Sequence, residues 1–328
     1  MTAQIFAEWL MRQGHHVVQT ESAFWFNQGP RLYQAFPFDR LIQPSYEELR
    51  ALLRKERMIG VRFWTPFDTQ AGSASYHIVC CNKNYDLKSV RTSARSAVRR
   101  GLEACRIAPV DLEQYAKEGW DIQRETEVRQ GRGTSISKEQ WIARSMAAKG
   151  LQGFEAWGAF VGDKLCAALF CSRVDHTVEI LSQQSLAEYL HLRVNNALTF
   201  EVTRKLMSEP GVEVINYGVH SLDAPASIDE FKLSMGYVVR PVRQQIQFHP
   251  LIPHALIGIA GGVLRGGIML APRNNALRKA DGIVKFYKNG QLPLSQQVLP
   301  DLLVRALKDV PGTDALVHSD EPHRRDAH

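Results

Sequence analysis

Past Gly153 apolar and polar positions alternate as they do along half-buried strands. Residues 154–161, 164–174 and 177–184 form three such runs, separated by the turn formers Gly162-Asp163 and Asp175-His176. Three consecutive antiparallel strands are predicted. The period then changes, with Leu190, Val194, Ala197, Leu198, Val202 and Leu206 recurring at helical spacing. This predicts an amphipathic helix packed on the sheet and stopped at Pro210-Gly211. A strand over 212–217, a short helix carrying Phe231-Lys232 and closing on Gly236-Tyr237, and a β-type run over 237–248 complete the series.

The first third mixes both periods. Residues 22–66 alternate aromatic and apolar positions with turn formers, interrupted by a helix in which Leu49, Leu52 and Leu53 share one face. Ser45 is its expected N-cap, with Glu48 completing a capping box. A strand is expected over 76–81. Residues 86–104 read as a helix with Leu87, Val90, Ala94, Ala97 and Val98 on one face, Arg91, Arg95 and Arg99 on another, and Gly101 interrupting near its end. The arginine stripe fits either phosphate contact or a solvated helix face. Residues 108–150 read as connecting helices around a Gly-rich 131–135 stretch, with Ser137 and Gln140 forming a second capping box.

Residues 251–272 are apolar enough to raise the question of a membrane span, yet Pro253 and Pro272 bound the stretch and five glycines weaken an isolated helix. Arg273, Arg278, Lys279, Lys285 and Lys288 follow at once, which adds attachment to an acidic membrane face as a reading. Packing against the rest of the chain is the preferred one. The polar 311–328 tail is expected to be disordered, and no internal repeat is visible.

Composition narrows the classes. A chain of 328 residues, 45% hydrophobic and 23% charged, has the profile of a folded soluble protein with room for two lobes and an appendage. Cys80, Cys81, Cys105, Cys166 and Cys171 show no C-x-x-C or repeated metal spacing, so they read as reduced thiols. With no secretion signal at the N-terminus, the expectation is a cytoplasmic protein, with the inner membrane face as its peripheral variant. A net charge of +6 fits anionic partners (nucleic acid, phosphorylated ligands or acidic lipid) or simple self-repulsion in solution.

Candidate chemistry converges on residues 215–237. A strand end and polar loop supply Tyr217, His220 and Asp223, and the helix that follows aims Lys232 back toward them. Tyr217 would donate a proton to a leaving group, and Asp223 or His220 would take one from an attacking amine. Their structural alternatives are a half-buried packing tyrosine, a lysine lying along its helix and turn-shaping polar residues. Arg62, in the β-type GVRFW run, would bind substrate across a cleft or lie on a sheet face.

The element order over residues 20–248, with a strand ending in a small residue before a loop and a Phe-Lys helix that closes on glycine, resembles the GNAT superfamily in its Fem-like branch. The resemblance implies an α+β fold of two GNAT-like lobes with mixed sheets flanked by helices, plus a C-terminal helical appendage. It sets the lobes at 1–107 and 108–250, the appendage at 251–310 and the tail at 311–328. It implies an acyltransferase in which Lys232 stabilises a donor phosphate or the tetrahedral oxyanion and Glu179 is a second candidate base. GNAT enzymes that use coenzyme A carry a Gln/Arg-x-x-Gly-x-Gly/Ala turn before the long helix. Here that position reads SQQSLAEYLHLRVNN, without glycine, leaving Gln183, Arg193 and Asn195 as candidate anion ligands. The expected donor is therefore aminoacyl-tRNA, with acyl-CoA as the alternative, and the basic segment from Arg95 to Arg100 resembles one in the Fem-like branch. The acceptor is expected to be a small-molecule or peptide amine, with no permanently bound cofactor and no metal. The rival of another class is a non-catalytic module bound to a membrane face through residues 251–288.

Overall fold

The computed structural model describes residues 1–29, 31–131, 136–220, 226–271 and 275–308. In chain order the elements are α1 (Ala3–Arg12), β1 (Val17–Gln19), β2 (Phe24–Gly29), β3 (Leu32–Phe36), α2 (Tyr46–Lys55), β4 (Gly60–Thr65), β5 (Ser73–Cys80), α3 (Thr92–Ala104), β6 (Arg106–Val110), α4 (Leu112–Arg129) and α5 (Lys138–Met146). Then follow β7 (Phe154–Val161), β8 (Lys164–Val174), β9 (Thr177–Ser185), α6 (Val194–Ser208), β10 (Val214–Val219), α7 (Ala226–Ser234), β11 (Val238–Phe248), α8 (His254–Leu270), α9 (Asn275–Gly290) and α10 (Asp301–Lys308). The 154–185 hairpins fall where alternation and turn residues put them.

Among the described residues the strands form a single sheet of 11, in the order β1-β2-β3-β4-β11-β5-β10-β9-β8-β7-β6. The last strand in sequence is not at an edge. β11 lies between β4 and β5, antiparallel to both, so that Gln244 faces Trp64 on one side and Ser73 on the other. β5 then pairs with β10, which joins the two halves of the sheet by backbone hydrogen bonds.

Helices cover both faces. α6 packs against β7–β9, with α3 against α6 and β6, around Val98, Leu169, Leu198 and Val202, while α1, α4 and α5 cover the opposite side with Phe6, Trp9, Tyr115, Trp141 and Phe170. α2 buries Leu49, Leu52 and Leu53 against Trp25, Val61 and Phe63. A smaller cluster of Ile246, Ile257, Val284, Phe286 and Tyr287 attaches α8 and α9 to β11.

Several local expectations change on contact with tertiary structure. Ser45 accepts from the Glu48 amide, but the Glu48 carboxylate turns away to the Ser22 amide (3.0 Å) and hydroxyl (2.7 Å), so only half of that capping box forms. The Ser137–Gln140 box is complete. The helix expected from residue 86 starts at Thr92, because the Asp86 carboxylate caps a turn by accepting from the Lys88 and Ser89 amides. Gly101 is not an interruption. A Cβ there would lie 2.6 Å from the Arg193 carbonyl oxygen, so glycine permits the close crossing of α3 and α6. Leu190 precedes α6, in a 3-10 segment over Ala187–Leu192, and Arg193 follows with φ of 64°.

Among the described residues no helix is long and apolar enough to cross a membrane. The 311–328 tail lies outside them.

Candidate active site

β9 and β10 are parallel neighbours, yet they pair only where Val214, Ile215 and Asn216 meet Thr177, Val178 and Glu179. Beyond that point β9 stays with β8 as far as Ser185, while β10 follows β5 to the Val219–His77 pair. The strands part and open a cavity of about 440 Å³. Ser182, Gln183 and Gln184 form one wall, Tyr217, Gly218, Asp229 and Lys232 form another, and Tyr115, Gln123, Thr126, Trp141 and Arg144 of α4 and α5 close it over.

Lys232 is held in place from three sides. Its Nζ lies 2.9 Å from Asp229 Oδ1, one helical turn back, and 5.2 Å from the centre of the Tyr217 ring. A Cβ on Gly218 would come within 3.5 Å of the same nitrogen, and the φ of 117° there suits glycine alone. With side-chain exposures of 12% and 13%, the Lys232–Asp229 pair is shielded in a way that surface pairs are not. The other Asp229 oxygen accepts from the Tyr76 hydroxyl at 2.8 Å. Burial, reinforced by the Asp229 charge, raises the Tyr76 pKa, so the phenol stays a donor. Asp229 thus orients the lysine from behind.

Tyr217 also faces this cavity, but its hydroxyl donates to Gln183 Oε1, which accepts from Thr199 Oγ1 as well at 3.0 Å. The Gln183 amide nitrogen lies 3.4 Å from the Asn195 carbonyl oxygen. Tyr217 and Gln183 therefore clasp the parted strands together. Burial pushes the Tyr217 pKa up, which further disfavours proton donation to a leaving group. The end of β9 is pinned to α4 by Thr126 Oγ1 and Arg129, which donate to the Ser185 carbonyl at 3.1 and 3.0 Å. Gln184 donates to Gln123.

The remaining candidates lie elsewhere. His220, only three residues from Tyr217, lines a second and more apolar cavity of about 560 Å³ with Ala74, Phe286, Leu292, Val298 and Leu299. Its ring stacks on Tyr76 at 4.7 Å and meets the Phe286 ring edge at 5.4 Å. Burial lowers its pKa to about 4, leaving a neutral imidazole at pH 7. Glu179 is buried at the point where the strands part, accepting from the Asp39 amide (2.9 Å) and the Asn216 side chain (2.8 Å). Burial, then the Asp39 charge, raises its pKa well above the usual carboxylate value. It is not among the cavity-lining residues.

Arg62 lies on β4, donating to Gln244 Oε1 at 2.9 Å and stacking over Trp64 and Phe286, away from the β9–β10 opening. Asn195 donates to Ser185 Oγ at 3.0 Å, and Arg193 is exposed. Neither lines the cavity. Asp223 falls outside the described residues.

Sequence reasoning missed Asp229, although its spacing three residues before Lys232 is the helical signal for a pair. It also missed the α4 and α5 side chains, which carry no motif.

The start of α6, where an anion cradle would lie, has no glycine turn. The 3-10 segment replaces a glycine turn, Arg193 makes no side-chain cap, and α3 packs against the Arg193 carbonyl through Gly101. Of the arginine stripe, Arg91 pairs with Glu230, and Arg95 folds back onto the Val90 and Lys88 carbonyls. Arg99 and Arg100 remain exposed.

Comparison with known proteins agrees on architecture. No family model and no curated protein matches the chain. Among solved structures, FemX superposes with a TM-score of 0.51 at 11% identity, over 73% of this chain and 90% of that one. The two-lobed GNAT fold is present. The same fold appears in the C-terminal domain of an Agrobacterium fabrum protein provisionally named lysylphosphatidylglycerol synthetase, with a TM-score of 0.51, 13% identity and coverage of 74% and 87%. A Bacteroides thetaiotaomicron protein of unknown function matches at 0.50, with 13% identity over 73% and 87%.

Proposed function

We propose that the β9–β10 cavity carries out N-acyl transfer, in which an amine attacks the carbonyl of an activated donor without a covalent enzyme intermediate. The nitrogen forms the new bond to the carbonyl carbon, charge collects on the oxygen, and the leaving group departs as the carbonyl re-forms. A fixed cation beside that oxygen lowers the barrier, because it is oriented before the charge appears. The observation that carries the reading is the Lys232 ammonium, shielded and aimed by Asp229 where two parallel strands part. The amine proton leaves to water or donor, since Tyr217 is committed to Gln183 and His220 opens on the other cavity.

The donor is aminoacyl-tRNA rather than acyl-CoA. Support comes from the α6 N-terminus, which offers no glycine cradle for a pyrophosphate, and from exposed Arg99 and Arg100 on α3. One structural neighbour of the same fold is the C-terminal domain of a protein named as a lysylphosphatidylglycerol synthetase. The acceptor is a small-molecule or peptide amine. Thermal unfolding with each donor tests the reading. A non-hydrolysable aminoacyl-tRNA near a hundred times its Kd contributes about 2.7 kcal/mol to the folded state and raises Tm by several degrees, whereas an acyl-CoA leaves it unchanged. Stabilisation by acyl-CoA alone would reverse the donor assignment.

A further inference from the structure

Residues 251–290 hold six basic residues (Arg265, Arg273, Arg278, Lys279, Lys285 and Lys288) and one acidic residue, Asp281. Six minus one is +5, nearly the whole formal charge of +6. The same segment carries the densest run of exposed apolar side chains. On α8, Leu256, Ile259, Val263 and Leu270 are 54% to 91% exposed, and their spacing puts them on one helical stripe. The other side of α8 faces the protein. Ile257 is buried, and Gly261 lets the helix approach Val284 of α9, where an added Cβ would lie 3.1 Å away. The stripe therefore points outward.

We propose that α8 and α9 dock this chain on the surface of an anionic lipid bilayer, with the α8 stripe in the interfacial layer and exposed lysines against the headgroups. An apolar stripe flanked by cations is the combination that such a surface recognises. A span is ruled out by length, since 17 residues rise only about 26 Å against a hydrocarbon core of about 30 Å. A second copy of the chain is a poor cover, because a two-fold contact through this segment would set +5 against +5. Asp281, the one acidic group, is 2.7 Å from Lys285, and Lys279 and Lys288 are both exposed. The inference stands apart from the transfer reaction.

Flotation of the full chain with phosphatidylcholine vesicles, with and without phosphatidylglycerol, tests it. Binding is expected at least about tenfold tighter with the anionic lipid and weaker in high salt. Ile259→Glu with Val263→Glu should lower binding by about 100-fold or more, and Lys279→Glu with Lys288→Glu by about tenfold or more. All four side chains are exposed, and unchanged circular dichroism and Tm would confirm the fold. Equal binding to both vesicles, or binding to neither, overturns the proposal. So does a wild-type dimer in solution that Ile259→Glu with Val263→Glu splits into monomers.

Discussion

Tyr217 and His220 are three residues apart at one strand end, yet they open on cavities of opposite character. The Tyr217 side is polar, and its hydrogen bonds fix geometry: Asp229 holds Lys232, and Gln183 ties β10 to β9. The His220 side is apolar, and the imidazole Nδ1 lies 3.5 Å from the Ser75 hydroxyl. A titratable group in such surroundings is kept neutral. Sequence proximity grouped the two residues, and the sheet separates them. The proposed chemistry is assigned to the side where a charged group is both shielded and aimed.

The largest structural effect is expected at Gly218, which belongs to the lysine side. Gly218→Val forces a β-branched residue to a φ of 117° and brings its side chain toward Lys232 Nζ. Backbone strain of about 1–3 kcal/mol should appear as a lower urea midpoint, and transfer activity should fall further than stability. If both remain at the wild-type level, the lysine is not held as described.

The His220 side predicts a smaller effect, seen only in acid. Its folded pKa of about 4 lies below the usual histidine value, so between roughly pH 6.5 and 4 the unfolded chain binds more protons. Stability present above that window is lost as pH falls through it. Buried His77, lowered to about 3, adds to the same loss. His220→Phe keeps the ring contacts with Tyr76 and Phe286, and should recover about 2 kcal/mol of the acid loss in urea titrations at pH 7 and pH 4. An unchanged pH dependence would place the protonation elsewhere.

What the sequence made legible was local. The three strands over 154–185 were readable from alternation and turn residues, and Ser137–Gln140 from capping chemistry. The place of β11 between β4 and β5 was not, because its partners lie some 160 to 190 residues back and leave no periodic signal. The same limit applies to the site. Lys232 could be chosen from its own helix, whereas Tyr76 behind Asp229 and Arg144 in the cavity roof come from elements that fold against it from far along the chain. Glu179 was a reasonable base by type and strand, but its burial beside Asp39 could not be read before the loop carrying Asp39 was seen in place.

The central claim is that Lys232 stabilises charge at the reacting carbonyl. Steady-state transfer by Lys232→Met, measured with and without Asp229→Asn to remove the orphaned carboxylate, tests it against His220→Phe in the same assay. The account predicts a fall in kcat/KM of about 100-fold or more in both lysine variants with native circular dichroism, and near wild-type turnover in His220→Phe. Wild-type turnover in a folded Lys232→Met, or its loss in a folded His220→Phe, would contradict it.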